Sequence, residues 1–524
     1  MKNHDGNEIS LYDWQKECLE KWHENNCRGI INVATGAGKT ILALAAVKTL
    51  EEKLYKSYRN ICLKVKIIVP KIFLAGQWLK ALTDILNVRR DEIGLYYGKL
   101  KETETRKYMI YVLNSARYSV STHILNDHKN NCHIMLICDE CHHFGSTENS
   151  KIFDFMPYID NSRFYSLGLS ATPDLNNPAL SKCLGDEIYK YGFDMAVKTG
   201  VVSDYNVFNI SLDFSSDESD EYNILTDRLN MFITNIIKLK PYLKKYKKDK
   251  FYTELKKLAA AGLGKISAYA SSTLVTLYRR KEIVYLAQSR IFCTEELIKK
   301  LPNNKIIVFA ERISAVDELY DRLRKSGANI NVGKYHSEMG DEARKLALER
   351  YKNGEINVLL SCRALDEGLN VPETDTGIIM SSTGSIRQRI QRIGRVLRKN
   401  NSSRIKSIYY MYIGSSFDYV EECEIIPKEN NQSFNLRYDF NKNDFFNDEY
   451  DSLCEIVINQ LTKNKTPSNI IDEVKNNFKI GVIQSDWQLS ESKCRVKIEK
   501  SVNAAEKNYW ICMLKLAEKN RCIN

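Results

Sequence analysis

Short apolar runs punctuate the first part of the chain at Ile30–Val33, Val65–Pro70, Ile110–Leu113, Ile134–Cys138 and Phe164–Ser170. They are largely continuous instead of alternating with polar residues, which is the pattern of strands covered on both faces. Between them, apolar residues recur at helical spacing, as in Leu11–Trp22, Ile41–Leu50 and Leu74–Leu86. Strand and helix in alternation predict an α/β fold with a parallel sheet and helices on both faces. A second array obeys the same rule. Strands are expected at Lys305–Ala310, Asn329–Tyr335, Ile356–Ser361, Gly377–Ser382 and Ile405–Ile413, with helices at Ser314–Arg324, Asp341–Lys352 and Ser385–Arg398. Ile405–Ile413 is expected to be the last strand of its sheet.

The segments between and after the arrays differ in character. Asp213–Leu301 thins out in glycine and proline and reads as helical, opening with an acidic loop at Asp213–Glu221. Within it, Lys244, Lys245, Lys247, Lys248 and Lys250 alternate with Tyr242, Tyr246, Phe251 and Tyr252. Such interleaving suits phosphate contact with base stacking, or a solvated helical face. Pro427–Asp451 is polar and asparagine-rich and reads as a loop. Ser452–Asn524 reads as mainly helical, with Trp510, Met513 and Leu516 on one face of its last helix. The expected division is a first domain over 1–205, a basic helical insertion over 206–300, a second domain over 301–424, and an extension over 425–524.

Composition changes this picture little. The chain has 524 residues, with 77 basic against 66 acidic side chains and a net charge of +11, a mild excess that fits a polyanionic partner. No run of about 18 apolar residues could span a bilayer, and the first ten residues are polar, so a cytoplasmic or nuclear chain is expected. Fourteen cysteines scattered singly suggest reduced thiols. Cys138, Cys141 and His142 spell a haem-attachment pattern, but Cys138 ends a buried-looking strand and no export signal precedes it.

The candidate chemistry sits at strand ends. Asn32–Thr40 reads N-V-A-T-G-A-G-K-T between an apolar strand and a helix. That is the context of a phosphate-binding loop. Thr35, Gly36, Ala37 and Gly38 would form the cradle, Lys39 would reach the phosphates, and the Thr40 hydroxyl would join a Mg²⁺ shell. Val33 stands where the usual pattern has its first glycine. Asp139 and Glu140 come directly after the apolar run Ile134–Cys138; a carboxylate pair there is costly unless used, with Asp139 holding Mg²⁺ and Glu140 polarising water. Gln15 offers an amide to an adenine edge or to solvent. Trp78 reads as core or as a contact at a strand's carboxyl end, and Asn114 and Ser115 could bind phosphate oxygens. Ser170 and Thr172 close the Phe164–Ser170 strand before Pro173. Five arginines, Arg387, Arg389, Arg392, Arg395 and Arg398, crowd one short segment, as a polyphosphate would require.

The order of L-Y-D-W-Q, A-T-G-A-G-K-T, I-I-V-P with Q-W, D-E-C-H, S-A-T-P, I-I-V-F-A, D-E-G-L-N-V-P and Q-R-I-G-R-V-L-R resembles superfamily 2 helicases and translocases. Within them it resembles the D-E-x-H branch, with the xeroderma-type repair helicases, phage recombination helicases and restriction-enzyme motor subunits. The resemblance runs from Leu11 to Ile413. It implies two tandem RecA-like domains and an ATP- and Mg²⁺-dependent motor acting on nucleic acid, DNA in preference to RNA. It implies adenine recognition by Gln15, Mg²⁺ at Thr40 and Asp139, Glu140 as catalytic base, and domain coupling through Ser170 and Thr172. Gly368 would approach the nucleotide or strand. Gln391, Arg395 and Arg398 would face the γ-phosphate. Strand contacts would come from Pro70, Gln77, Asn114, Ser115, His336 and Ser337. Asn370 stands where relatives usually carry aspartate. Strand separation, translocation without separation, and a non-catalytic binding subunit are the three functional readings; the 425–524 extension could dock protein partners.

Overall fold

The computed structural model describes the chain apart from residues 1–9, 58–60, 176, 202, 204, 263, 327–329, 363–373, 382–391, 393, 395, 397–405, 415, 417–431, 464, 485–490 and 522–524. Two eight-stranded sheets organise it. The first holds β1 (Arg28–Val33), β2 (Leu63–Val69), β3 (Ile93–Tyr97), β4 (Leu100–Lys101), β5 (Tyr108–Val112), β6 (His133–Asp139), β7 (Phe164–Ser170) and β8 (Glu187–Tyr191) in the order β4-β3-β5-β2-β6-β7-β1-β8. All pairs are parallel except β3 with β4. Every residue of β6 is buried. Ile134, Leu136 and Cys138 join one core, while Met135 and Ile137 join the other. Continuous apolar runs thus reflect helices on both faces. Among the described residues, the helices α1 (Asp13–Glu24), α2 (Lys39–Ser57), the short Leu113–Ala116 and α3 (Ile72–Leu86) carry predicted site residues. The last stops where Asn87 enters the left-handed region at φ 54°.

The second sheet departs from expectation. It contains β9 (Tyr205–Leu212), β10 (Ile306–Ala310), β11 (Val332–Tyr335), β12 (Val358–Cys362), β13 (Thr376–Ile379), β14 (Lys406–Ile413), β15 (Gln432–Asp439) and β16 (Asp444–Phe446), in the order β11-β12-β10-β13-β14-β9-β15-β16. The strand expected to end the sheet, β14, is therefore internal. It pairs along its whole length with β9, from Lys406 opposite Tyr205 to Ile413 opposite Leu212. The supposed loop over Pro427–Asp451 supplies β15 and β16. Buried Tyr205, Val207, Phe208, Ile210 and Leu212 carried a strand signal of β-branched and aromatic residues at the threshold of a helical stretch.

The acidic stretch Asp213–Glu221 is likewise mostly helix, within Ser216–Leu239. Ser215 Oγ accepts from the Glu218 N–H while Glu218 Oε2 accepts from the Ser215 N–H, a reciprocal cap that S-x-x-E announces. This helix, the turn Pro241–Lys245 after it, and helices Lys248–Ala260 and Gly264–Leu286 share a small core of Ile236, Leu243, Leu255, Leu258 and Ala270. The tail forms helices Asp448–Lys463, Ser468–Gln484, Glu491–Glu499 and Ala504–Arg521. Their Tyr450, Val474, Phe478, Trp510 and Met513 join the core that also holds Phe208 of β9 and Tyr438 of β15. One disulfide, Cys62–Cys132, joins the residues just before β2 and β6, so the expectation of reduced thiols fails for that pair; ten other described cysteines form no disulfide. No helix among the described residues is long and apolar enough to cross a membrane.

Candidate active site

The site lies at the carboxyl ends of β1, β6 and β7, where open parallel sheets place ligands. β1 buries Ile30, Ile31 and Val33, so Val33 is a core strand residue and its side chain has no part in the phosphate loop. Gly36 at φ 89° and Gly38 at φ 100° occupy backbone conformations that side chains resist. α2 starts at Lys39, which brings its positive dipole end and free N–H groups to the loop. The Thr35 hydroxyl is buried in the loop with no partner among the described residues.

Lys39 and Glu140, 101 residues apart, meet with Nζ to Oε1 at 2.9 Å. Asp139, the last residue of β6, accepts from the Glu140 N–H at Oδ1 (3.0 Å) and from the Trp78 Nε1–H at Oδ2 (2.9 Å). Trp78 is thus core by burial and a polar contact by its indole edge. Glu140 itself sits in the left-handed region at φ 49°, uncommon for a non-glycine residue, which lets the chain turn out of the strand. Burial and then the neighbouring Glu140 charge push the Asp139 carboxyl up to about 6, against the opposing pull of Lys39 and Trp78. Burial also acts to raise Glu140, but Lys39 with His142 and His143 outweighs it and holds that carboxyl below its ordinary value. Two adjacent carboxylates are driven apart by their surroundings, as acid–base and metal sites require.

His142 is the residue that motif reading passed over. One ring nitrogen, Nδ1, lies 3.5 Å from Glu140 Oε2 and 2.8 Å from Ser170 Oγ, and Ser170 Oγ accepts from the Thr172 N–H at 3.0 Å. The histidine therefore joins the D-E-C-H turn to S-A-T. The signal was the final letter of D-E-C-H. Gln15 is buried against the loop; its Oε1 accepts from the Tyr12 N–H at 2.9 Å and its Nε2 donates to the Gly38 carbonyl at 3.1 Å. Both ends of the amide are engaged within the protein, and one of them reads the loop itself.

The remaining sites scatter along the sheet ends. Pro70 comes directly after β2, and Gln77 lies beside Trp78 on α3, both half-buried. Asn114 is exposed and accepts from Arg117; Ser115 Oγ accepts from the Gly98 N–H at 3.2 Å. His336 is buried and 3.9 Å from Asp317, which leaves Ser337 as the exposed member of that pair. Gly368, Asn370, Arg387, Arg389, Gln391, Arg395 and Arg398 lie outside the described residues. Arg392 corrects the reading of the arginine segment as one polyphosphate surface. It is fully buried, paired to Glu311 Oε1 at 2.7 Å and donating to the Ser381 carbonyl at 2.8 Å. The Ser381 hydroxyl in turn accepts from the Glu311 N–H.

Two tandem parallel sheets, the first with a phosphate loop facing a carboxylate pair, define a P-loop ATPase motor. The family matches agree with this class. Residues 8–175 match the family described as the type III restriction enzyme res subunit, and residues 289–400 match the helicase conserved C-terminal domain. The DNA 3'-5' translocase XPB2 of Sulfurisphaera tokodaii is 28% identical over 404 residues, covering 76% of this chain and 80% of that protein. Two haloarchaeal Rad25 relatives, from Halobacterium salinarum and Haloarcula marismortui, are 21% and 24% identical, and the chain spans only about half their length (53% and 52%). The helicase domain of Hef from Pyrococcus furiosus is 18% identical, over 77% of this chain and 96% of that one, at a TM-score of 0.48. The chain is a superfamily 2 helicase or translocase, and it hydrolyses ATP.

Proposed function

We propose that this motor moves along DNA with a 3'-5' sense, hydrolysing ATP at the Lys39–Glu140 site. The observation that carries the reading is that Lys39 and Glu140, far apart in sequence, meet above a buried parallel sheet. The Sulfurisphaera relative, named as a DNA 3'-5' translocase, supports both the polymer and the direction. In this reading Thr35, Gly36, Ala37, Gly38 and Lys39 cradle the phosphates, Gln15 senses the loop and the base, and Gln391, Arg395 and Arg398 close on the γ-phosphate from the second sheet. Gly368 approaches the nucleotide or strand. Pro70, Gln77, Asn114, Ser115 and Ser337 track the strand, with His336 behind Ser337.

Thr40 and Asp139 would hold Mg²⁺. The donor set fits: a carboxylate has about four acceptor sites, two of which are taken by Glu140 N–H and Trp78. No cluster of three metal-ligating side chains occurs among the described residues, as suits an ion bound by one or two carboxylates plus phosphates and water. When bound, that ion neutralises phosphate charge. Glu140, held ionised by Lys39 and the two histidines, takes the proton of the attacking water, and His142 passes its position on to Ser170 and Thr172. We assign the first helicase domain to 1–205, the helical insertion to 206–300, the second domain to 301–424 and an accessory extension to 425–524, with β9, β15 and β16 bonded into the second sheet.

The test is ATPase activity with single-stranded DNA, duplex DNA, forked DNA and RNA. DNA is expected to stimulate it, and Glu140→Gln to lower the stimulated rate by roughly 10²- to 10⁴-fold, the range of general-base catalysis. An unimpaired Glu140→Gln enzyme, or stimulation by RNA alone, would overturn the assignment. Triplex displacement without strand displacement would mark a translocase that does not separate strands.

A further inference from the structure

Trp78 spends its one polar atom on Asp139. The ring is almost fully buried in the first-sheet core. A buried indole N–H requires an acceptor. Here it crosses from α3, the helix after β2, to the carboxylate that ends β6. The two strands are neighbours, with Ile68 opposite Cys138, so the start of α3 and Asp139 emerge side by side. Asp139 is then gripped at both oxygens, once by the local Glu140 N–H and once by a different element.

The same helix carries Gln77, one residue before Trp78 and only partly buried. Consecutive residues of a helix are rigidly related, about 1.5 Å and 100° apart, so a shift of α3 imposed at Gln77 is felt at Trp78. Pro70 and Lys71 lead directly into the helix, which puts its first turns at the sheet end where Asn114 also lies exposed.

We propose that Trp78 is a positioning residue: its indole N–H sets the orientation of the Asp139 carboxylate and ties that orientation to engagement of α3 by nucleic acid. The inference rests on the proposed roles of Asp139 and Gln77. It assigns to a single hydrogen bond a path by which strand binding reaches the metal-binding carboxylate. Phenylalanine keeps an aromatic side chain at this buried position and removes the donor, together with the volume of the indole's second ring.

The experiment compares wild type, Trp78→Phe and Gln77→Ala in two measurements. One is Mg²⁺-dependent binding of a fluorescent, non-hydrolysable ATP analogue, which needs no turnover. The other is the ratio of DNA-stimulated to basal ATPase. Trp78→Phe is expected to raise the Mg²⁺ concentration at half-binding by roughly tenfold or more, the usual effect of losing a partner behind a metal ligand, and to lower the stimulation ratio. Gln77→Ala is expected to lower the ratio and leave the Mg²⁺ midpoint unchanged. An unchanged Mg²⁺ midpoint and ratio in a folded Trp78→Phe protein overturns the proposal, whereas a wild type that DNA does not stimulate overturns the underlying reading instead. Should Trp78→Phe fail to fold, wild type carrying ¹⁵N-labelled indoles decides. A shift of a slowly exchanging indole N–H on adding Mg²⁺ to the analogue complex supports the link, and no shift in any of the five tryptophans rejects it.

Discussion

Glu311→Ala separates two roles that Arg392 could have had. If Arg392 faced phosphate in an open cleft, its contact with Glu311 would be an exposed ion pair worth about 0–1 kcal/mol. The structure instead buries both side chains completely, 2.7 Å apart. The guanidinium also donates to the Ser381 carbonyl and lies 5.5 Å from the Phe309 ring centroid. Removing one partner of such a pair costs about 3–5 kcal/mol, because a desolvated charge loses its counter-charge. For a domain of 150–250 residues each kcal/mol moves the melting temperature by roughly 2–4 °C. Glu311→Ala should therefore lower the transition of the second-sheet unit by about 6–20 °C. Glu311→Met with Arg392→Met removes both charges and should recover most of that loss, since a well-packed apolar pair replaces a buried ion pair at little cost. The assay is differential scanning calorimetry of the full chain beside ATP titration of the ATPase. A Glu311→Ala protein that melts within about 2 °C of wild type but needs far more ATP would refute the burial argument and return Arg392 to the nucleotide.

Two further outcomes test other parts of the molecule. Burial and the Glu140 charge raise Asp139 to about 6, and a metal ligand must be deprotonated; the Mg²⁺ concentration for half-maximal ATPase should be flat above that value and rise roughly tenfold per pH unit below it, and a flat response down to pH 5 would contradict it. Lys66 is fully buried in β2 and 2.6 Å from Asp127 of helix Val120–Lys129, so Asp127→Ala should destabilise the first-sheet unit by about 3–5 kcal/mol at pH 7. Burial already lowers Lys66 below its ordinary value, with Asp127 opposing. Loss of Asp127 lowers it further, so the folded state releases a proton that the unfolded state keeps, and the deficit should shrink as pH rises from 7 towards 10. Urea denaturation at several pH values would show it, and a deficit that grows with pH would refute it.

The first sheet and its phosphate loop were legible because their signals are local. Gly36, Gly38 and Lys39 announce a turn that only a strand-to-helix junction uses, and β6 shows its burial on both faces in a continuous apolar run. The second sheet was only partly legible. β9 and β15 are eight-residue strands whose partners lie about two hundred residues away, and neither carries a chemical motif. Their assignment depends on β14 having an unpaired edge, which is a property of the assembled sheet. The helix over Ser216–Leu239 was readable and missed, since Ser215 and Glu218 spell its cap.

Residue types and their order along the chain determined the family, the phosphate loop, the carboxylate pair and the expectation of two tandem sheets, because each needs only nearby residues to be specified. Only the tertiary structure decided which side chains meet. It paired Lys39 with Glu140, turned Arg392 inward to Glu311, put His142 between Glu140 and Ser170, closed Gln15 onto Gly38, and aimed the Trp78 indole at Asp139. The physical reason is common to all five. A buried polar atom is costly unless it finds a partner at about 3 Å, and packing of distant elements, not sequence spacing, sets which partner is within reach.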